Sequence, residues 1–396
     1  MRPRSLFIIE LEEHAEVLGR FLGQFNLDLW ELQLLVVKSV FDELSDHDER
    51  IHWHVVEDDI NVESCLTDCL EMMRYTSLAV LMSGQRHVKE YAQFDFPVPL
   101  LFCVHNVNFS LNQGNWYVEF DNLIEFQKAC TYFLFSGLLR RELFFRRWAV
   151  QKPGVFVTSI GSLLIPALGS AVGPGRVGPT LYDENPRKYS APDGEKHPER
   201  RNIFRVVVPG MVDVKRKDYQ IVFQALERAA QEKDDKAVEL VLLGANTSIR
   251  GRILVWRFEG RLKLRGVNVV QFKNRLSSLE FDQFLASADL VIAPIKLGIR
   301  YKLWREIYGQ TKLSGAEFDA FKVHVPFLIP SSYSPSASRT SLIAYDSLED
   351  LVRLIHDYRL GREPFDIEET APPKNQWEDG FFDWLQSLKG NTSIRG

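Results

Sequence analysis

The sequence predicts an α/β protein of two Rossmann-like α/β/α halves that face each other across a cleft. Three observations predict it. Apolar strand-like runs alternate with helical runs, the order that builds a mostly parallel sheet with helices on both faces. The alternation occurs twice, on either side of a Gly- and Pro-dense stretch at 166–202. The chain of 396 residues is also too long for one ordinary core.

In the first half, SLFIIEL (5–11) reads as a strand and EHAEVLGRFLGQF (13–25) as an amphipathic helix. ELQLLVVKSV (31–40) fits a strand or a helix, because a short apolar run carries no decisive period. IHWHVVE (51–57) alternates as a strand. VESCLTDCLEMMRY (62–75) is helical, with Cys65, Leu66, Cys69, Leu70 and Met73 on one face. SLAVLMSG (77–84) and VPLLFCVHN (98–106) are strands, a helical region spans 122–148, and GVFVTSIGS (154–162) closes this half.

The second half begins after the stretch 166–202, which reads as a linker or long surface loop. IFRVVVPG (203–210), VELVLLG (238–244), NVVQF (268–272) and DLVIAPI (289–295) are strands. DYQIVFQALERAAQ (218–231), SSLEFDQFLASA (277–288) and SLEDLVRLIHDYRL (347–360) are helices. KLSGAEFDAFKVHVPFLIP (312–330) gives a helix and then a strand after Pro326, and the tail carries a helix in QWEDGFFDWLQSLK. The expected units are therefore 1–165, the linker 166–202, 203–362, and a tail 363–396 whose helix packs back on the first half. The hexapeptide NTSIRG occurs at 246–251 and again at 391–396, with no longer repeat around it. It is not the signature of a solenoid.

Hydrophobic residues make up 45% and charged residues 26%, the balance of a soluble globular protein. A net charge of −5 argues against a nucleic-acid partner held by overall positive charge. The four cysteines, Cys65, Cys69, Cys103 and Cys130, lack a second pair at zinc spacing and read as reduced core thiols. The apolar run Leu6–Ile9 is too short for a signal peptide, and no run reaches the roughly 18 residues that span a bilayer. The expectation is a cytoplasmic protein. The segment 136–150 interleaves Arg140, Arg141, Arg146 and Arg147 with Leu143, Phe144, Phe145 and Trp148. It either packs into the first half with snorkelling arginines or lies on an anionic membrane, which would make the protein peripheral at the inner membrane face.

Ser314-Gly315 before a helical run is a place for an anion, because backbone N–H groups at a helix start point outward without partners. Four segments of the second half come in an order that resembles the nucleotide-sugar domain of GT-B fold glycosyltransferases, the retaining family numbered four in particular. VVVPGMVDVKRKDYQIVFQAL is similar to its first strand, glycine turn, basic pair and helix, and VELVLLG to its second strand. FDQFLASADLVIAPI resembles its helix-then-strand ending in proline, and SGAEFDAFKVHVPFLIP the segment that grips the donor nucleotide. In the first half LLFCVHN is similar to the strand that ends in a histidine at the cleft. Two departures stand out. The glycine-rich loop after the first strand is replaced by ELEEH, and of two glutamates eight apart only Asp319 stands at the second place while Thr311 falls at the first.

The resemblance implies a glycosyltransferase that takes sugar from a nucleoside-diphosphate donor of UDP or GDP type. The acceptor would be a saccharide or lipid-linked sugar in polysaccharide or glycoconjugate assembly, and no cofactor is implied. Gly210, Arg216, Lys217, Ser314 and Gly315 would hold the diphosphate, whose charge builds as it leaves. A basic cluster, Lys215-Arg216-Lys217, at a helix start is electrostatically misplaced for structure alone, which favours phosphate binding. Ser314 also suits an N-cap, and both readings stay open. Asp319 would bind the ribose hydroxyls, and His105 would touch the sugar or the transition state. Asn106 and His14 would lie on the acceptor side, with Glu10, Glu12 and Glu13 read as a solvated acidic loop. His52 and His54 lack further ligands for a metal, and Glu57-Asp58-Asp59 resembles the metal-binding acids of the other glycosyltransferase fold, GT-A. The order of the second half argues against that fold, and no metal is expected. Two alternatives stand beside the transferase: an epimerase acting on the sugar nucleotide itself, and a non-catalytic binding or scaffold protein that keeps only the fold.

Overall fold

The computed structural model describes residues 4–44, 47–111, 123–135, 145, 147–181, 202–231, 236–316, 319, 325–333, 342–362 and 376–392. The first sheet holds β1 (Arg4–Glu10), β2 (Trp30–Val37), β3 (His52–Val56), β4 (Leu78–Leu81), β5 (Leu100–Cys103) and β6 (Val155–Thr158). The second half holds β7 (Ile203–Pro209), β8 (Ala237–Ala245), β9 (Val267–Phe272), β10 (Leu290–Ile292), the hairpin β11 (Gly298–Tyr301) and β12 (Trp304–Ile307), β13 (Phe327–Pro330) and β14 (Leu342–Tyr345). The two large sheets are six-stranded, in orders β3-β2-β1-β4-β5-β6 and β14-β13-β10-β7-β8-β9, and every pairing within them is parallel. This is the two-domain α/β architecture of the GT-B fold.

Continuous apolar strands follow from burial on both faces. Leu6, Phe7, Ile8 and Ile9 of β1 and Val206, Val207 and Val208 of β7 are fully buried. In each sheet the chain reverses direction of travel beside the first strand, between β1 and β4 and between β7 and β10. Ligands in open parallel sheets bind beyond the strand C-termini at such a switch point. The ambiguous run 31–40 resolves into both alternatives in sequence, strand Trp30–Val37 and then helix Lys38–Glu43. The single helix expected over 62–75 is broken at Cys69 into Val62–Asp68 and Leu70–Arg74.

The stretch 166–202 departs from the expected loop in its first part. Ile165–Val172 is a helix with a proline in its first turn and Gly173 at its C-cap, where φ is +89°. Those two residues start and stop a helix rather than mark a linker. Leu168 and Leu181 are buried in the core of the first half, and the Arg176 guanidinium donates to the carbonyls of Ala149, Lys152 and Val155 at 2.6–3.0 Å. Residues 182–201 lie outside the described residues. So do 136–144 and Arg146 of the Arg-rich segment; of the rest, Trp148 is buried against Phe102 at 5.5 Å between rings.

The helix Gln376–Thr392 packs on the first half. Phe381 is fully buried there, and the Trp30 indole N–H donates to Glu378 Oε1 at 2.6 Å. The hairpin β11–β12 also reaches across. Phe109 meets Trp304 at 5.3 Å between ring centroids, the Val107 N–H donates to the Thr311 carbonyl at 2.8 Å, and Glu43 pairs with Arg275 at 2.6 Å. The two sheets are thus braced face to face.

Candidate functional site

A cleft of about 1720 Å³ lies between the halves. Gly210, Arg216, Lys217, Ser314, Gly315 and Asp319 line it from the second half, and His14, His105 and Asn106 from the first. The structure therefore brings all nine residues expected at the donor and acceptor sides to one cavity.

On the second-half side, β7 ends at the turn Gly210, where φ is +76°, a conformation that only glycine adopts without strain. The end of β8 lies against this turn. A Cβ added at Gly244 would stand 2.6 Å from the Gly210 carbonyl carbon, so Gly244 is what allows the two strand ends to meet. Lys217 folds back over the turn. Its ammonium donates to the carbonyls of Gly210 at 3.1 Å and Met211 at 3.4 Å, and also to that of Pro209. Burial pushes it down to about 8, opposed by the nearby carboxylates of Asp319 and Asp213. A cation whose desolvation is not fully compensated is a place where an anion is welcome. Arg216 is exposed and pairs with Asp213 at 3.2 Å.

Ser314 is buried, and its hydroxyl accepts from the Ala316 N–H at 3.3 Å, as a helix cap does. Gly315 is exposed, with no heavy atom within 4 Å of where a Cβ would stand. Gly315, Ala316 and Asp319 are helical. The cap occupies one N–H and leaves the exposed side of the helix start facing the cavity.

On the first-half side, the acidic loop differs from the expected solvated one. Glu10 is fully buried and accepts from Ser83 at 2.7 Å and from the Glu12 N–H at 2.7 Å; burial and the Glu12 charge push it up to about 7. Glu12 Oε1 accepts the N–H groups of Gln85 at 2.6 Å and Arg86 at 2.8 Å. Glu12 turns inward because the loop after β4 presents bare N–H groups that need an acceptor, and Glu10 because the Ser83 hydroxyl and the Glu12 N–H need one. Glu13 stays outside and pairs with Arg86. His14 precedes helix Ala15–Leu22 and stacks on His105 at 4.6 Å.

His105 Nε2 lies 2.9 Å from the Met82 carbonyl, so this nitrogen carries the hydrogen and Nδ1 is left as an acceptor. Burial, with His14 and Lys312 adding to it, drives its pKa to about 3. His105 is therefore a neutral, oriented imidazole at working pH. It suits accepting a hydrogen bond from a hydroxyl group better than carrying a proton.

Sequence reasoning gave no role to Lys312. Its ammonium donates to Asn106 Oδ1 and joins the halves at the floor of the cleft; burial lowers it to about 8. Its position two residues before Ser314 was the available signal. Tyr301, on β11, was also missed: its hydroxyl donates to Gln85 Oε1 of the other half at 2.9 Å. His54 stacks beside Phe7, His52 is exposed, and neither lines the cleft. Among the described residues no three His, Cys, Asp or Glu side chains are grouped to hold a metal, and no helix is long and apolar enough to cross a membrane.

No protein-family model and no curated protein matches the chain by sequence. Solved structures do resemble it. One is Anabaena HepE in complex with UDP-glucose, at a TM-score of 0.55 and 12% identity over 98% of this chain and 99% of that one. Another is a putative UDP-N-acetylglucosamine 2-epimerase from Listeria monocytogenes, at 0.51 and 11% identity over 100% and 98%. A third is the α,α-trehalose 6-phosphate synthase of Burkholderia multivorans, at 0.51 and 10% over 100% and 98%. At such identities the likeness establishes the fold alone.

Proposed function

We propose that the chain is a glycosyltransferase that moves a sugar from a UDP- or GDP-type donor to a saccharide or lipid-linked acceptor, with retention and without a metal. One observation carries the reading. The Lys217 ammonium, the Ser314-Gly315 helix start and the Asp319 carboxylate converge below the Gly210 turn, across the cleft from His14 and His105. In this reading residues 203–362 hold the donor and residues 1–165 the acceptor. Lys217, Arg216 and the Gly315 N–H take the diphosphate, and Asp319 takes the ribose. As the glycosidic oxygen leaves, its charge develops beside Lys217 and the helix start, so positive potential is supplied by the chain itself. The neutral His105 accepts from a sugar hydroxyl and fixes the ring. Lys312 and Asn106 tie the two halves together beside this site.

The test is to incubate the protein with a panel of UDP- and GDP-sugars and oligosaccharide acceptors. Nucleoside diphosphate release and the anomeric configuration of the product are then read by NMR. An acceptor-dependent product of unchanged anomeric configuration is expected. Inversion would refute retention, and dependence on added divalent ions would refute the metal-free reading.

A second reading is favoured by a specific feature of the acceptor wall. Glu13, His14, His87 and Glu90 line it together, the acids and histidines that proton transfer on a bound sugar nucleotide would use. Epimerisation would give a changed sugar still attached to nucleotide in the absence of any acceptor, and the same NMR assay separates the two.

A further inference from the structure

The helix Ile249–Leu264 shows two apolar stripes. Gly251, Val255, Phe258 and Leu262 face the core and are buried. At 100° per residue the opposite direction is taken by Ile249, Ile253, Trp256 and Leu264, and all four are exposed, by 68%, 58%, 77% and 88%. Gly260, also exposed, completes the outer stripe. Basic residues flank this stripe on both sides: Arg252 and Lys263 on one, Arg250 and Arg257 on the other. None of these four is in an ion pair among the described residues, whereas Arg261 is bound to Glu227 at 2.6 Å. The chain as a whole carries −5, so the concentration of cations here is local.

We infer that this helix is a docking face for an anionic lipid surface, lying in the plane of the headgroups. Three features select that occupant. The stripe runs along one strongly exposed helix face, which fits a flat bilayer rather than a groove. Cations stand on both edges, at the height of the phosphates, with aliphatic stems that reach along the apolar side. An indole sits mid-stripe, an amphipathic ring suited to the membrane–water boundary. Burial of four large apolar side chains together with neutralisation of several phosphates is the combination that holds interfacial helices. The inference does not depend on what the cleft binds.

The experiment is co-sedimentation of the full chain with vesicles of phosphatidylcholine alone and of phosphatidylcholine with phosphatidylglycerol. Binding to the anionic vesicles, weakened by salt, is expected. The double variant Ile253→Ser/Trp256→Ser should lose at least about tenfold of the partition, as should Arg250→Gln/Arg257→Gln. Both pairs are exposed, and circular dichroism checks that each variant folds. Quenching of wild-type tryptophan fluorescence by brominated lipid, reduced in Trp256→Phe, reads the same face without disturbing it. Absence of sedimentation, or sedimentation and quenching that these variants leave unchanged, would overturn the proposal. So would a concentration-dependent dimer in light scattering that the stripe variant abolishes, since the face would then belong to a second copy.

Discussion

The Lys217 ammonium rests against backbone carbonyls while burial lowers it to about 8. A bound diphosphate favours the charged form, so its affinity should be full below pH 8 and fall as pH rises through 8 and above. Lys312, also lowered to about 8, acts in the same direction from the cleft floor. Titration of nucleoside diphosphate across pH 7–10 checks this slope. Lys217→Ala should weaken binding by about a hundredfold at pH 7, the loss of charge-assisted bonds worth roughly 2–3 kcal/mol. His105, neutral well above its pKa of about 3, should contribute no ionisation limb to a pH–rate profile between 5 and 9. That Lys217 and Ser314 line the cleft was legible because cations or small polar residues at a helix start are chemically marked; Asp319 was reached only through the resemblance. Lys312 was not legible, because its meaning comes from Asn106, 206 residues away in the chain.

At the scale of elements, the second-half wall of the cleft depends on the ends of β7 and β8 meeting. Gly244→Ala would place a methyl 2.6 Å from Gly210, so the turn must shift. The variant should bind nucleotide at least about tenfold more weakly and melt several degrees lower, measured by titration and calorimetry. Helix Gln376–Thr392 depends in turn on Phe381, which is fully buried among Phe21, Phe25 and Trp30. Phe381→Ala should cost roughly 3–5 kcal/mol in a denaturant titration. The long parallel strands could be read from the sequence because burial on both faces writes continuous apolar runs. The helix Ile249–Leu264 could not, because its two opposed apolar stripes cancel the helical period. Hairpin β11–β12 escaped because strands of four residues joined through Lys302 at φ 57° carry no turn signature of glycine or proline. Pro166 and Gly173 misled in the other direction, as helix punctuation resembles a linker.

At the scale of the whole molecule, the hairpin ties the halves together through a buried acid. Glu306 Oε1 accepts the Phe109 N–H at 2.8 Å, and burial pushes its carboxyl from 4.5 to about 7. The folded chain therefore holds a proton between pH 4.5 and 7 that the unfolded chain has released. Stability falls as pH rises through that window and the ionised, buried carboxylate is disfavoured above it. Glu306→Gln keeps the acceptor and removes the charge. It should raise stability by roughly 1–3 kcal/mol at pH 8 and leave it near wild type at pH 4.5, read as melting temperatures at the two pH values. Glu10, raised to about 7 in the same way, leaves a residual slope in the variant. The facing arrangement of the sheets was legible from the doubled strand–helix order; the brace between them was not, since its members are local accidents of a hairpin and a short helix. The most direct measurement is isothermal titration of the wild-type protein and Lys217→Ala with UDP and GDP. Micromolar binding of one nucleotide, lost in the variant, is expected. No binding of either, or equal binding by the variant, would contradict a donor site below the Gly210 turn and leave the fold as a scaffold.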